Sequence, residues 1–306
     1  MNVLVSVIIP AYKADKYIKE ALDSVKSQTY KPWEIIVVED AWQDETENIV
    51  KQFAQTEAEG KVKFIRNEKN QGLGATRNIA VSYACGKYVA LLDHDDIWRP
   101  NHLQQAVKAL EEQQADLAYS TTLTFEDGTN KELGFWGPTT AELENFPLSL
   151  YSRNYITPSA VVMRKESLEK VGLMALIRAC EDYDCWINLL KAGCKFLYLE
   201  EITCLYRKHP LAMTSDQKFI TEKILYVMQK HQDWQIVPKA ISKQRIADIY
   251  SQLGYLTASK KPWAAVKFFL YAWLQQPTNI TSTKRLAKLI FLQTFRNILQ
   301  PFRHQV

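Results

Sequence analysis

The first hundred residues alternate between short apolar runs and longer amphipathic stretches. The short runs are rich in β-branched residues, as strands covered on both faces should be; they are Val3–Ile9, Glu34–Val38, Val62–Arg66 and Tyr88–Leu92. Helical spacing with few helix breakers marks the stretches between them, which are Lys16–Gln28, Asp44–Ala58 and Gly74–Ala84. This βαβα order predicts an α/β fold with a parallel sheet and right-handed crossovers.

Residues beyond about 220 follow a different pattern. Three stretches with helical apolar spacing follow one another there: Phe219–Lys230, Pro238–Ser259 and Pro262–Gln275. The charge changes as well, because residues 1–219 contain 25 Lys and Arg against 31 Asp and Glu, whereas residues 220–306 contain 13 against 3. We therefore predict two domains, an α/β domain at 1–218 and a basic helical region at 219–306.

The basic region favours a polyanionic partner surface, unless its lysines are merely solvated. Its last stretch, Lys284–Leu299, is basic on one side and apolar on the other. Such a helix either lies in an anionic membrane interface or packs on its own domain. The region contains no recognisable module for nucleic acid, so nucleic acid is not expected as a partner.

The composition, with 47% hydrophobic and 24% charged residues, is typical of a folded globular protein. No run approaches the roughly 20 apolar residues of a membrane span. The run Val3–Ile9 is too short for a signal peptide and meets Pro10, so we expect a cytoplasmic chain, with any membrane contact at the inner face. Five cysteines without a CxxC pair argue against a zinc ribbon and a disulfide framework.

Three carboxylates crowd one turn after the fourth predicted strand, in the segment Asp93-His94-Asp95-Asp96. Like charges this close repel one another unless a cation joins them. Carboxylates suit hard divalent ions such as Mg2+ or Mn2+ best, so the turn predicts a metal site. The alternative is a solvated acidic turn in which an aspartate caps the next helix.

The ends of the other predicted strands also carry polar groups and glycines. In open parallel sheets ligands bind beyond the carboxyl ends of the strands. Asp40 could accept a hydrogen bond from the imide N–H of a pyrimidine, and Arg77 could neutralise phosphate. The glycines of Asn70–Gly74 let backbone approach a ligand. A Walker A motif and a GxGxxG motif after the first strand are both missing, which counts against a P-loop ATPase and a dinucleotide-binding dehydrogenase.

A second acidic cluster, Glu181-Asp182, opens an amphipathic stretch. Carboxylates are favoured at a helix N-terminus, so ordinary capping is one interpretation. The other is a general base that takes a proton from an attacking hydroxyl.

Together these elements resemble the inverting glycosyltransferases of family 2, whose catalytic domain has the GT-A fold, over about residues 1–215. Val5–Tyr12 is similar to the opening strand of that family and Ala21–Thr29 to its first helix. The resemblance implies a Rossmann-like, mostly parallel sheet with helices on both faces. It also implies transfer of a sugar with inversion, from a nucleotide-diphosphate donor such as a UDP-sugar to a saccharide or lipid-linked saccharide, in cell-surface polysaccharide or glycolipid synthesis.

The resemblance also assigns roles to individual residues. It makes Asp182 the catalytic base, with Glu181 as second choice. It makes Asp95 the ligand of Mn2+ or Mg2+, with Asp93 as its partner toward the metal or the ribose, and it gives Asp40 the contact with uracil. The remaining donor-binding residues that it implies are Pro10, Ala11, Tyr12, Glu39, Asn70, Gly72, Arg77, Asn78, His94, Arg207 and His209.

The chain departs from the family pattern at two places. The family usually has aspartate where Glu39 stands and small polar residues where Ala41 and Trp42 stand. These two differences bear on which nucleobase the donor carries. The usual glycine before the second acidic pair is replaced by Cys180.

The acceptor side is less defined, and two rival classes are to be compared. Aromatic residues could stack on an acceptor sugar or belong to the core; the candidate tryptophans are Trp98, Trp136 and Trp186.

A sugar nucleotidyltransferase needs a Gly- and Arg-rich phosphate loop after the first strand, which Pro10–Ala14 does not provide. A non-catalytic nucleotide-sugar-binding scaffold that acts through the basic tail is the alternative.

Overall fold

A computed structural model describes residues 3–57 and 61–277. The chain divides into two compact units, with the boundary between Ala212 and Met213. The strands of the first unit are β1 (Val5–Ala11), β2 (Trp33–Glu39), β3 (Val62–Arg66), β4 (Tyr88–Leu91), β5 (Ile97–Trp98), β6 (Leu117–Glu126), β7 (Glu132–Trp136), β8 (Val161–Arg164) and β9 (Phe196–Lys208). The four strands predicted from the apolar runs all form.

One sheet contains these strands in the order β3-β2-β1-β4-β8-β6-β9-β5, and β7 pairs with β6. Its first four strands are parallel, which confirms the predicted topology of the first hundred residues. Beyond them β8 runs antiparallel between β4 and β6, and β6 pairs in parallel with β9. The second half of the sheet is therefore mixed.

Helices cover the sheet of the first unit. They are α1 (Ile18–Lys26), α2 (Thr46–Ala54), α3 (Leu73–Ser82), α4 (His102–Glu112), α5 (Thr140–Glu144), α6 (Leu148–Ser152), α7 (Lys165–Lys170) and α8 (Glu181–Lys191). On β1, Val5, Val7 and Ile9 belong to a hydrophobic cluster with residues of α1, α2 and α4. The alternate residues Ser6 and Ile8 are equally buried. Because successive side chains point to opposite faces, both faces of β1 are covered, which explains its mostly apolar sequence.

The second unit contains three α-helices among its described residues, α9 (Gln217–Lys230), α10 (Lys239–Ala258) and α11 (Pro262–Gln275), all at the predicted places. Gly254 lets α10 approach α11, since a Cβ there would lie 2.8 Å from ring atoms of Phe269. The predicted amphipathic stretch Lys284–Leu299 lies outside the described residues. Within residues 3–57 and 61–277, no helix has the length and apolar character needed to cross a membrane.

Candidate active site

The carboxyl ends of the parallel strands lie side by side, as the topology predicts. In the register of the sheet, Ala11 at the end of β1 is opposite Glu39 at the end of β2, and Glu39 is opposite Arg66 at the end of β3. The turn after β4, which begins at Leu92, follows the strand paired with the other edge of β1. The predicted donor-binding segments therefore share one edge of the sheet.

Asp40 ties the glycine-containing loop to the end of β2. Its buried carboxylate accepts hydrogen bonds from Asn67 Nδ2 at 2.9 Å, from the backbone N–H of Gln71 at 2.8 Å and from that of Gly72 at 2.8 Å. The φ of Gly72 is +87°, in the region that favours glycine, and α3 begins at the next residue. Asn70 Nδ2 donates to the Asp40 carbonyl at 3.3 Å. Both carboxylate oxygens of Asp40 thus accept hydrogen bonds from the protein's own loop, and the contact of Asp40 with uracil stays a prediction.

Replacing Asp40 with asparagine should lower the free energy of unfolding by about 1–3 kcal/mol, because one backbone N–H of the loop then loses its acceptor. Chemical unfolding of Asp40→Asn beside Asp15→Asn, a change at an exposed aspartate, measures this effect. A loss below about 0.5 kcal/mol, as is usual for surface substitutions, would show that the loop does not depend on Asp40.

Glu39 pairs with the neighbouring strand. Its buried carboxylate accepts a hydrogen bond from Arg66 Nε, and Arg66 also pairs with Glu47 at 2.9 Å. Burial raises the pKa of Glu39, and Arg66 opposes that shift. The longer side chain at this position therefore holds the ends of β2 and β3 together.

Arg77 joins the two acidic clusters inside the protein. Its side chain is 1% exposed, with Nη2 2.5 Å from Asp93 Oδ1 and Nη1 2.5 Å from Glu181 Oε1. Burial alone lowers the pKa of Arg77, but the carboxylates of Asp93, Glu181 and Asp182 outweigh it, so the pKa is raised and the guanidinium stays charged. Each terminal nitrogen of Arg77 pairs with a carboxylate, and the contact of Arg77 with phosphate stays a prediction. Arg77 thus brings the acidic turn and the acidic pair into one site.

The acidic pair starts α8, and its two members have different surroundings. Glu181 is buried against Arg77, whereas Asp182 is partly exposed and accepts a hydrogen bond from Asn154 Nδ2 at 3.2 Å. Burial raises the pKa of both carboxyls, and Arg77 opposes the shift. Asp182 is therefore the more accessible of the two carboxylates, and its role as the base stays a prediction.

Close backbone contacts fix the approach to α8. Cys180, which replaces the usual glycine, has a φ of +61°, so it retains the left-handed conformation that glycine adopts without strain. On α3, a Cβ at Gly74 would lie 2.2 Å from the carbonyl oxygen of Ala175. Asn78 Nδ2, also on α3, donates to the Met174 carbonyl at 2.8 Å. The predicted donor residue Asn78 thus holds the loop that leads to the acidic pair.

The acidic turn is held by contacts with several distant segments. Asp95 Oδ2 lies 2.9 Å from His209 Nε2, and His94 Nδ1 lies 3.2 Å from the Pro10 carbonyl oxygen. Burial pushes the pKa of Asp95 up, but the hydrogen bond from His209 and the charges of His94 and His209 together outweigh it, so the pKa is lowered. Asp93 and Asp95 are both partly exposed and are the carboxylates of this turn that can reach a cation.

Arg207 braces the turn from the end of β9. It is buried; its backbone N–H donates to Asp96 Oδ1 at 2.9 Å, and its Nε donates to the Asp95 carbonyl at 2.8 Å. Its terminal nitrogens pair with Glu20 at 2.9 Å and Asp127 at 3.2 Å. Burial raises the pKa of Asp96 well above its usual range. The predicted contact of Arg207 with a leaving group therefore competes with its role in positioning the acidic turn.

Residues 6–172 match a family model described as Glycosyl transferase family 2. The chain belongs to this family. The match covers more than half of the chain and includes the acidic turn and the glycine-containing loop. The resemblance inferred from the motifs is confirmed.

A relative of this family 2 glycosyltransferase occurs in Escherichia coli. It is the UDP-Glc:alpha-D-GlcNAc-diphosphoundecaprenol beta-1,3-glucosyltransferase WfaP, 27% identical over 215 residues, which are 70% of this chain and 81% of the relative.

Two solved structures are similar in fold. S. aureus TarS 1-349 in complex with UDP-GlcNAc has a TM-score of 0.66 and 19% identity over 88% of this chain and 81% of that chain. The mannosyltransferase PcManGT from Pyrobaculum calidifontis, in complex with GDP-Man and Mn2+, has a TM-score of 0.62 and 18% identity over 95% of this chain and 81% of that chain. These likenesses confirm the predicted GT-A fold.

The three tryptophans suggested as an acceptor platform have different environments in the glycosyltransferase. Trp98 is buried and donates its Nε1–H to the Ser159 carbonyl at 2.6 Å, and Trp186 is completely buried in α8. Neither ring has a face for a sugar, so these two are core residues. Trp136 is exposed on β7, with the Arg153 guanidinium 4.9 Å from its ring centroid, and its contact with an acceptor stays a prediction.

Two polar residues of this glycosyltransferase site were not anticipated. Ser159 Oγ accepts a hydrogen bond from the backbone N–H of Asp93 at 3.1 Å, and Asn154 contacts Asp182. Both belong to the segment between α6 and β8, which reaches the site because β8 pairs with β4. Nothing in their local sequence distinguishes them from ordinary loop residues, since the contacts depend on a long-range strand pairing.

Proposed function

We propose that this glycosyltransferase moves a sugar from a UDP-sugar donor to a hydroxyl of a saccharide or lipid-linked saccharide, with inversion at the anomeric carbon. The observation that carries the proposal is the salt bridge of Arg77 to Asp93 and Glu181, because it places the acidic turn and the acidic pair in one site. The similar proteins support the substrate classes: the E. coli relative is named for UDP-Glc and a diphosphoundecaprenol-linked acceptor, and the similar structures hold UDP-GlcNAc and GDP-Man.

The residues of the acidic turn suit a divalent cation that is shared with the donor. The described residues contain no group of three or more His, Cys, Asp or Glu side chains able to hold an ion by themselves. Mg2+ is commonly bound by one or two carboxylates together with substrate phosphates, and Asp95 with Asp93 offers that donor set. Mn2+ or Mg2+ bound there would offset the charge that develops on the departing diphosphate.

The proposed reaction is a single displacement. Asp182 takes the proton of the acceptor hydroxyl, and the hydroxyl oxygen forms a bond to the anomeric carbon from the face opposite the diphosphate. The bond between that carbon and the diphosphate oxygen breaks, and the nucleoside diphosphate leaves with the electron pair. Glu181 and Arg77 do not exchange this proton; they position α8 and the acidic turn.

The test is release of free nucleoside diphosphate from UDP-Glc, UDP-GlcNAc, UDP-Gal and GDP-Man, with Mn2+ and with EDTA. We expect slow hydrolysis of one UDP-sugar that requires the metal and falls at least tenfold in Asp95→Asn, but not in Asp15→Asn. Release that is unaffected by both EDTA and Asp95→Asn would contradict the metal assignment. If a donor is bound but none is hydrolysed, the non-catalytic scaffold alternative is favoured.

A further inference from the structure

Asn154 has both ends of its side-chain amide engaged. Its Nδ2 donates to Asp182 Oδ2 at 3.2 Å, and its Oδ1 accepts a hydrogen bond from the backbone N–H of Ile156, also at 3.2 Å. The nitrogen of an amide only donates hydrogen bonds and its oxygen only accepts them. The contact with Ile156 therefore fixes which end of the amide faces Asp182, and that end is the donor.

The loop that carries Asn154, between α6 and β8, is anchored close to the start of α8. The hydroxyl oxygen of Tyr183, the residue after Asp182, lies 2.7 Å from the carbonyl oxygen of Tyr151. Tyr155, which follows Asn154, is completely buried. Both members of the Asn154–Asp182 hydrogen bond are thus held by neighbouring contacts, as a preorganised site requires.

Titratable groups from three elements face Asp182. They are Arg77 on α3, Glu181 and the neutral thiol of Cys185 on α8, and Asp93 in the acidic turn. Burial raises the pKa of Asp182, as does Asp93, whereas Arg77 and Asn154 oppose this rise. A hydrogen-bond donor favours the charged form of a carboxyl group. Asn154 is therefore one of the groups that keep Asp182 ionised.

We propose that Asn154 is a positioning residue for the base of the transfer reaction. Its amide holds Asp182 Oδ2, so Asp182 stays ionised in one orientation, and its other carboxylate oxygen takes the proton of the acceptor hydroxyl. A base that is itself oriented by a third group is a common arrangement for activating a hydroxyl. This inference rests on the proposed function, because it requires Asp182 to act as the base.

The pH dependence of donor hydrolysis, with water as the acceptor, tests the inference. UDP release is measured from UDP-Glc, UDP-GlcNAc and UDP-Gal with Mn2+, between about pH 5 and 9, and the rate should fall at acidic pH because Asp182 must be ionised. Asn154→Ala removes a donor to the charged form, which raises the pKa of Asp182. The acidic limb should therefore move up by about half to one pH unit.

Asn154→Asp separates this role from a purely structural one. The aspartate keeps the size of the side chain and an oxygen that accepts from the Ile156 N–H, so the loop should stay folded. It cannot donate when ionised, and a second carboxylate beside Asp182 raises the pKa of that group, so the acidic limb should move up by about one pH unit or more. In the Asp182→Asn background, Asn154→Ala should cause no further loss of rate, because its effect passes through Asp182.

The matched control is Asn188→Ala. Asn188 Nδ2 donates to Asp184 Oδ2 at 3.0 Å, the same amide-to-carboxylate contact on the same helix. Its replacement should leave the pH profile unchanged. Superimposable profiles for wild type and Asn154→Asp, or an equal shift in Asn188→Ala, would overturn the inference while leaving the proposed function intact. A wild-type protein that releases no UDP from any of the three donors would instead overturn both.

Discussion

Replacing Asp182 with asparagine should lower the rate of sugar transfer by a factor of about 10² to 10⁴, the usual contribution of a general base. The substitution keeps the size of the side chain and removes its ability to take a proton. Because Asp182 is partly exposed at the start of α8 and asparagine can still accept the hydrogen bond from Asn154, the fold should tolerate the change. Affinity for the nucleotide should change less than about threefold, which calorimetry on Asp182→Asn measures beside its turnover.

Glu181→Gln is the matched control, one residue away in the same turn of helix. Glu181 is buried on Arg77, so this substitution should lower the free energy of unfolding, which Asp182→Asn should not. Transfer at the wild-type rate by Asp182→Asn would remove Asp182 from the mechanism. If Glu181→Gln lost most of the transfer activity while its free energy of unfolding stayed unchanged, Glu181 would be the better candidate for the base.

Replacing Arg77 with methionine should lower the free energy of unfolding by about 3–5 kcal/mol, the usual effect of breaking a buried ion pair. Asp93 and Glu181 would be left without their counter-charge, and both contacts are made by one buried guanidinium. Arg77→Lys should lower the free energy of unfolding by a smaller amount, because it keeps the charge. It should still be less stable than wild type, because one ammonium group cannot bind two carboxylates in the way that the planar guanidinium does. Urea unfolding at neutral pH gives these values, and both variants should also lose transfer activity.

Arg153→Met tests whether the loss of stability expected for Arg77→Met depends on the burial of the ion pair. Arg153 pairs with Glu142 at 2.6 Å near the surface, where an ion pair contributes about 1 kcal/mol or less. Combining Arg77→Met with Glu181→Gln should recover part of the lost stability, because the two residues interact directly. A loss below about 1 kcal/mol for Arg77→Met, or no recovery in the double variant, would contradict the bridging role.

The architecture of the first hundred residues could be predicted because a single physical rule decides it. A strand buried on both faces, such as β1, must be mostly apolar, and the parallel order then brings the ends of β1 to β4 to one edge. For the candidate site, the sequence therefore predicted which polar turns lie together at that edge of the sheet. The three helices of the second unit were equally visible from their periodicity.

The partners of the charged residues could not be predicted in the same way. Arg77 and Glu181 are separated by 104 positions in the chain, and their contact depends on how the loop before α8 packs on α3. Asp40 likewise uses its carboxylate on a loop that begins at Asn67. A sequence motif records that a charge is present at a strand end, whereas the choice between a ligand and a neighbouring side chain depends on tertiary packing.

The position of Arg207 has a consequence for how the sequence of this enzyme can vary. The Arg207 guanidinium forms ion pairs with Glu20 on α1 and with Asp127 after β6. The two carboxylates are therefore energetically coupled through their shared partner. Substitutions at residues that share a partner are generally not additive. Loss of either carboxylate alone leaves Arg207 with the other, whereas loss of both leaves a buried cation uncompensated. Among family members, Glu20, Asp127 and Arg207 should therefore be exchanged together rather than one at a time.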